Sequence, residues 1–158
     1  MSNDNGKPEP AIEWRQHPHI APGVYPAYAR HAKQYWDKCY HRWVCAVMFD
    51  VLSDDLCTVV ARVPRFLNLG PGKHPRARAR SDYLAEWVRA NRGPPVRGDR
   101  LSPRVFTGRM ARVEVGDTDA SKSPVPYSVV RKILSWETGA GGVNLSSSHT
   151  VKGSNTQP

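Results

Sequence analysis

The chain carries 23 Lys and Arg against 14 Asp and Glu over 158 residues, a formal net charge of +9. That length buries a hydrophobic core without disulfide or metal staples, so one domain is expected, and the charge favours a polyanionic partner, nucleic acid first, over a neutral small molecule. No window approaches the ~20 apolar residues that a membrane helix needs, and the opening "MSNDNGKPEP" has neither a basic start nor an apolar core, which sets aside export and points to a cytoplasmic protein.

Residues 1–22 are rich in Pro, Asn, Asp and His without periodicity and read as a flexible arm. The stretch 23–36, "GVYPAYARHAKQYW", is aromatic and partly alternating, a strand pattern diluted by Pro26 and its alanines. The run 42–52, "RWVCAVMFDVL", is clearer. Trp43, Cys45, Val47, Phe49 and Val51 fall on one face and Val44, Ala46, Met48 and Asp50 on the other, as in a strand covered on much of both faces. Turn chemistry at Ser53, Asp54 and Asp55 leads into a return strand over 56–69, so residues 42–64 form a hairpin. Cys45 and Cys57 lie in these apolar runs and Cys39 just before them, an odd set that reads as reduced thiols, not as a disulfide framework.

After a basic Gly/Pro-rich loop, "SDYLAEWVRANRGPP" predicts a helix. Ser81 caps it, Asp82 suits its first turn, Tyr83, Leu84, Trp87 and Val88 form the apolar stripe, and Gly93 with Pro94 and Pro95 stops it. A further strand is expected over 105–115, "VFTGRMARVEV", with Gly108 as a bulge or bend that turns Arg109 outward beside Arg112. The run 127–137, "YSVVRKILSWE", reads as the last strand, favoured by Val129 and Val130, with a short helix as the competing reading, and residues 138–158 read as a flexible Gly/Ser-rich tail. The expected fold is mainly β with one helix, β-β-β-α-β-β, over residues 23–137.

The positive charge is concentrated. Residues 62–112 hold Arg62, Arg65, Lys73, Arg76, Arg78, Arg80, Arg89, Arg92, Arg97, Arg100, Arg104, Arg109 and Arg112, opposed only by Asp82, Glu86 and Asp99. A basic stripe of this kind is the footprint of a phosphate-backbone binder, and arginine's planar fork both grips a phosphate and stacks on a base.

The element order resembles that of the oligonucleotide/oligosaccharide-binding fold, a small five-stranded barrel, and "RVFTGRMARVEVGDTD" with "PYSVVRKILSWETG" is similar to small uncharacterised bacterial proteins of phage or other mobile elements. The first resemblance implies single-stranded nucleic acid lying across the second and third strands, gripped by rim loops, with aromatic rings stacking on bases and cations following the backbone. Tyr40 and Phe66 are the stacking candidates. Trp43 and Phe49 are assigned to the core, and Trp87 to a barrel end. The candidate cations are Arg42, Arg62, Arg65, Lys73, Arg76, Arg78, Arg80, Arg97, Arg100, Arg109 and Arg112.

Motifs for catalysis are incomplete. The cysteines with His31 and His41 lack a CxxC zinc knuckle, "GPGKH" lacks the remainder of a phosphate-cradling loop, and "GDTDAS" lacks the glycine and distal glutamate of an EF-hand. A metal-dependent phosphodiesterase would rest on Asp50, Asp54, Asp55, Asp117 and Asp119 alone, while His17 and His19 have no evident partner. The expected function is therefore non-catalytic binding of single-stranded DNA or RNA, without cofactor or metal. The alternative is an adaptor or inhibitor docking on an acidic surface of a larger replication, recombination or defence protein.

Overall fold

The computed structural model describes Ala11 and residues 15–137; the expected tail, 138–158, lies outside the described residues. The described elements are β1 (Gly23–Asp37), β2 (Arg42–Leu52), β3 (Val59–Asn68), α1 (Asp82–Asn91), a 3-10 turn (Pro103–Phe106), β4 (Arg109–Asp117) and β5 (Ser128–Trp136). The strands form one antiparallel sheet in the order β3-β2-β1-β4-β5. The fold is thus mainly β with one helix, in the expected order. The sheet is not closed into a barrel: β3 and β5 are its edges, and they approach each other without a described ladder between them. No helix among the described residues is long and apolar enough to cross a membrane.

Alternation explains the sheet's inner face. Ala27 and Ala29 from β1, Cys45, Val47, Phe49 and Val51 from β2, Val63 and Leu67 from β3, Ala111, Val113 and Val115 from β4, and Val130 and Ile133 from β5 make one buried cluster. Helix α1 covers it with Tyr83, Trp87 and Ala90. Ser81 caps the helix by accepting from the Leu84 amide at 3.2 Å, and Arg92 ends it in a left-handed conformation with φ 59°. Tyr83 donates to the Leu101 carbonyl at 2.6 Å and the Trp87 indole to the Ser102 carbonyl at 3.0 Å, so both aromatics are buried with their polar tips satisfied.

The buried stripe includes Glu86, which the apolar pattern does not anticipate. Its carboxylate accepts from Arg89 at 2.7 Å and from the Trp136 indole at 3.1 Å, while Arg89 also donates to the carbonyls of Ile133 at 2.8 Å and Leu134 at 2.7 Å. One charged network therefore fastens α1 to β5.

Three sequence expectations are corrected. The strand expected over 105–115 begins at Arg109, because Pro103 sits in the first turn of a 3-10 turn capped by Ser102, and Phe106 is buried against Tyr83 and Trp136, at ring distances of 5.7 and 5.5 Å. Gly108, at φ +76°, is the corner before the strand, and its amide donates to the Ala29 carbonyl at 2.8 Å. Arg109 is not turned outward: its guanidinium donates to the Ala90 carbonyl at 2.5 Å, drawn to the partial negative charge at the end of α1. Cys57 is exposed in the β2–β3 turn instead of buried in a strand, held by the Asp55 carboxylate, which accepts from the Cys57 amide at 3.0 Å. Cys45 alone is buried, and that burial pushes its thiol pKa up to about 12.

The chain ahead of β1, expected as part of an arm, touches β5 and the end of β4. The Ser128 amide donates to the Pro18 carbonyl at 3.0 Å, the Ile20 amide to the Ser128 hydroxyl at 2.8 Å, and His19 meets Asp117 at 2.8 Å.

Candidate nucleic-acid interface

The outward face of β1, β2 and β3 is built from residues of the parity opposite to the core. Cross-strand register sets them in rows: Tyr28 beside Asp50 beside Arg62, His31 beside Met48 beside Pro64, Lys33 beside Ala46 beside Phe66, and Tyr35 beside Val44 beside Asn68. Phe66 is 44 % exposed, Tyr28 38 % and Tyr35 36 %, so three aromatic rings stand on this face, Phe66 beside the small Ala46 and Tyr28 and Tyr35 beside the buried Asp50 and Val44. A β-bulge at Arg30 lets β1 keep its cationic and aromatic side chains outward, because the inward frame changes from Ala27 and Ala29 to Ala32 and Gln34.

Asp50 is buried on this face and held by two guanidinium groups, accepting from Arg30 at 2.9 Å and from Arg62 at 3.1 Å. A carboxylate this buried requires such pairing, and the trio leaves one net positive charge at the surface. The Tyr35 phenol pKa is raised, by partial burial first and by Asp37 and Tyr127 next, with Arg42 opposing.

Beyond Asn68 the chain forms the basic loop, and hydrogen bonds from Trp43 hold its start on β2 while one from Arg76 closes it on Leu69. The Trp43 amide donates to the Gly70 carbonyl at 2.9 Å, the Trp43 indole to the Gly72 carbonyl at 3.1 Å, and the Arg76 amide to the Leu69 carbonyl at 2.9 Å. Arg76, Arg78 and Arg80 then surround a hollow of about 340 Å³ with Asn68, Gly70, Ser81 and Asp82. Asn68 belongs both to the outward rows and to this hollow, so the two surfaces are continuous.

The remaining sequence candidates separate. Lys73 is exposed in the same loop. Tyr40 is exposed in the β1–β2 turn, and the Arg42 guanidinium lies over its ring, 4.9 Å from the centroid. Arg42, Arg65 and Phe66 line a cleft where β3 approaches β5. Arg65 has the inward parity between Val63 and Leu67, which leaves its side chain 21 % exposed. Arg112 is exposed on the outward side of β4, opposite Pro26. Arg97 is paired with Asp99 through two bonds of 3.0 and 2.8 Å, Arg100 borders a different hollow, and Arg109 is turned to α1, so these three do not join the rows.

Four of the five aspartates considered for catalysis accept hydrogen bonds from different partners, and Asp117 and Asp119 line one cleft. Asp50 pairs with two arginines, Asp55 and Asp119 accept from neighbouring turn amides, Asp117 meets His19, and Asp54 lies in the exposed β2–β3 turn. His19 thus has the partner that the sequence did not reveal.

Sequence reading missed Tyr28, Arg30, His31, Lys33 and Tyr35. The signal was the alternation of small and large side chains in "YARHAKQYW", broken by one extra residue at the bulge. No known family model matches the chain, and no curated protein matches it.

Proposed function

We propose that this protein binds single-stranded nucleic acid without catalysis, across the outward face of β1, β2 and β3 and into the arginine hollow beyond Asn68. The observation that carries this reading is the continuity of Phe66, Tyr35 and Tyr28 with Lys33, His31 and the Arg76, Arg78 and Arg80 hollow. Bases stack on rings irrespective of sequence, and the flanking cations follow the phosphates, so selectivity for sequence is weak. The order β3-β2-β1-β4-β5, with α1 between β3 and β4, also supports a scaffold of the oligonucleotide-binding barrel type with its β3 and β5 edges unjoined.

Fluorescence anisotropy tests the proposal with a labelled single strand and its duplex over a range of salt. Single strands bind tighter than duplex, and the log–log salt slope gains about −0.7 for each phosphate neutralised. Equal affinity for duplex and single strand, or no dependence on salt, overturns it.

A further inference from the structure

The edges of β3 and β5 enclose a cleft of about 510 Å³ that meets the outward face only at Phe66. Its walls carry four cationic side chains, Arg42, Arg65, Lys122 and Arg131, against the two carboxylates Asp117 and Asp119, and two rings, Phe66 and Tyr127. Both carboxylates already have partners: Asp117 meets His19 at 2.8 Å and Asp119 accepts from the Ser121 amide at 3.0 Å. Among the cations, Arg131 donates to the Asp117 carbonyl and Arg65 Nη2 lies 3.9 Å from an Asp82 carboxylate oxygen, whereas the Nε atoms of Arg42 and Arg65 are both buried and have no hydrogen-bond partner among the described residues. Buried donors of this kind are costly unless a partner arrives, so the cleft is short of an acceptor with negative charge.

The surplus of two positive charges selects among phosphates. A phosphodiester inside a strand carries one negative charge, whereas a terminal phosphomonoester carries about 1.5 to 2 at neutral pH and offers three acceptor oxygens. Phe66 connects the cleft to the rest of the molecule, since it stands in the outward row with Lys33 and Ala46 and also lines the cleft. A strand lying across the rows and leaving the sheet over β3 reaches the cleft with its end.

We propose that the cleft between β3 and β5 is an end-recognition site, in which Arg42, Arg65, Lys122 and Arg131 hold the terminal phosphomonoester of a single strand while Phe66 stacks on its last base. This rests on the single-strand reading above. It makes the protein a reader of strand ends as well as of strands.

The test compares three short oligothymidylates labelled at an internal position: 5′-phosphorylated, 3′-phosphorylated and hydroxyl-ended. One of the phosphorylated forms binds on the order of tenfold tighter than the hydroxyl-ended form, the yield of one charge-assisted hydrogen bond. Lys122→Gln and Arg131→Gln, at exposed positions, bring that ratio towards one. Gly116→Ala does so without removing a charge, because a Cβ there collides with the Arg131 side chain and displaces it. Equal affinities for all three oligonucleotides overturn end recognition and leave strand binding standing. A preference that survives these variants overturns the cleft as its location, and failure of every oligonucleotide to bind overturns both proposals.

Discussion

Arg89 and Arg109 on one side of the molecule, and Arg76, Arg78 and Arg80 on another, come from the same basic run of sequence and meet opposite surroundings. Arg89 donates to the carbonyls of Ile133 and Leu134 and to Glu86, and Arg109 to the carbonyl of Ala90, so both guanidinium groups close contacts between α1 and the sheet. Arg76, Arg78 and Arg80 instead border an open hollow. The difference teaches that a surplus of arginine measures two things at once, the fastening of the fold and the field offered to a ligand. Only the partner of each guanidinium separates them.

The largest expected effect comes from breaking the fastened set. Arg89→Met removes the bonds to two carbonyls and leaves Glu86, which is buried, without its cation. Loss of one member of such a pair costs about 3 kcal/mol, measured as a lower urea midpoint at unchanged slope. The oligonucleotide affinity of the protein that remains folded is expected to hold. A stable Arg89→Met that binds weakly would reverse the division.

Phe66→Ala sharpens the comparison from the ligand side. The ring is exposed, so stability changes by less than about 0.5 kcal/mol, while loss of one stacked base weakens single-strand affinity by roughly 1 to 3 kcal/mol. Anisotropy and urea denaturation on the same preparation read both quantities. Gly108→Val follows, since Gly108 sets the corner from which Arg109 reaches Ala90. A branched side chain at φ +76° is strained even though the nearest atom to a Cβ, the Tyr28 hydroxyl, is at an ordinary 3.7 Å, and a loss of about 2 kcal/mol of stability is expected.

How far the sequence could carry this division depends on what each residue meets. The β2–β3 hairpin and α1 were legible because period-two alternation and a Ser81 cap are local signals. The start of β4 was not, because Val105 and Phe106 suit a strand equally well and only the packing of Phe106 between Tyr83 and Trp136 decides for the 3-10 turn. Cys57 misled for a similar reason: an apolar run concealed a turn closed between Ser53 and Thr58. Of the candidate interface, Phe66 and the 76–80 arginines could be named from type and neighbours, whereas the β1 contribution was hidden by the bulge at Arg30. The role of Arg109 had no local signature, because its acceptor is a backbone carbonyl 19 residues away, and every residue has one.

The triple variant Arg76→Gln, Arg78→Gln, Arg80→Gln gives a smaller but diagnostic change. Folding stability stays within about 0.5 kcal/mol, and the log–log salt slope becomes shallower by about 2 if each arginine neutralises one phosphate of a single strand. An unchanged slope would place the strand elsewhere.

The smallest effect is expected at Arg97, and it tests the division most sharply because Arg97 belongs to the same basic run. Its guanidinium is held by Asp99 through two hydrogen bonds, and both side chains are more than half exposed. A surface pair of this kind contributes at most about 1 kcal/mol to stability, and its charges cancel towards a distant phosphate. Arg97→Gln therefore leaves both the urea midpoint and the salt slope where they were. Were the slope to become shallower by about 0.7, the full share of one phosphate, an arginine already paired would be counted as ligand-facing. The partner of a guanidinium would then no longer tell which side of the comparison it belongs to.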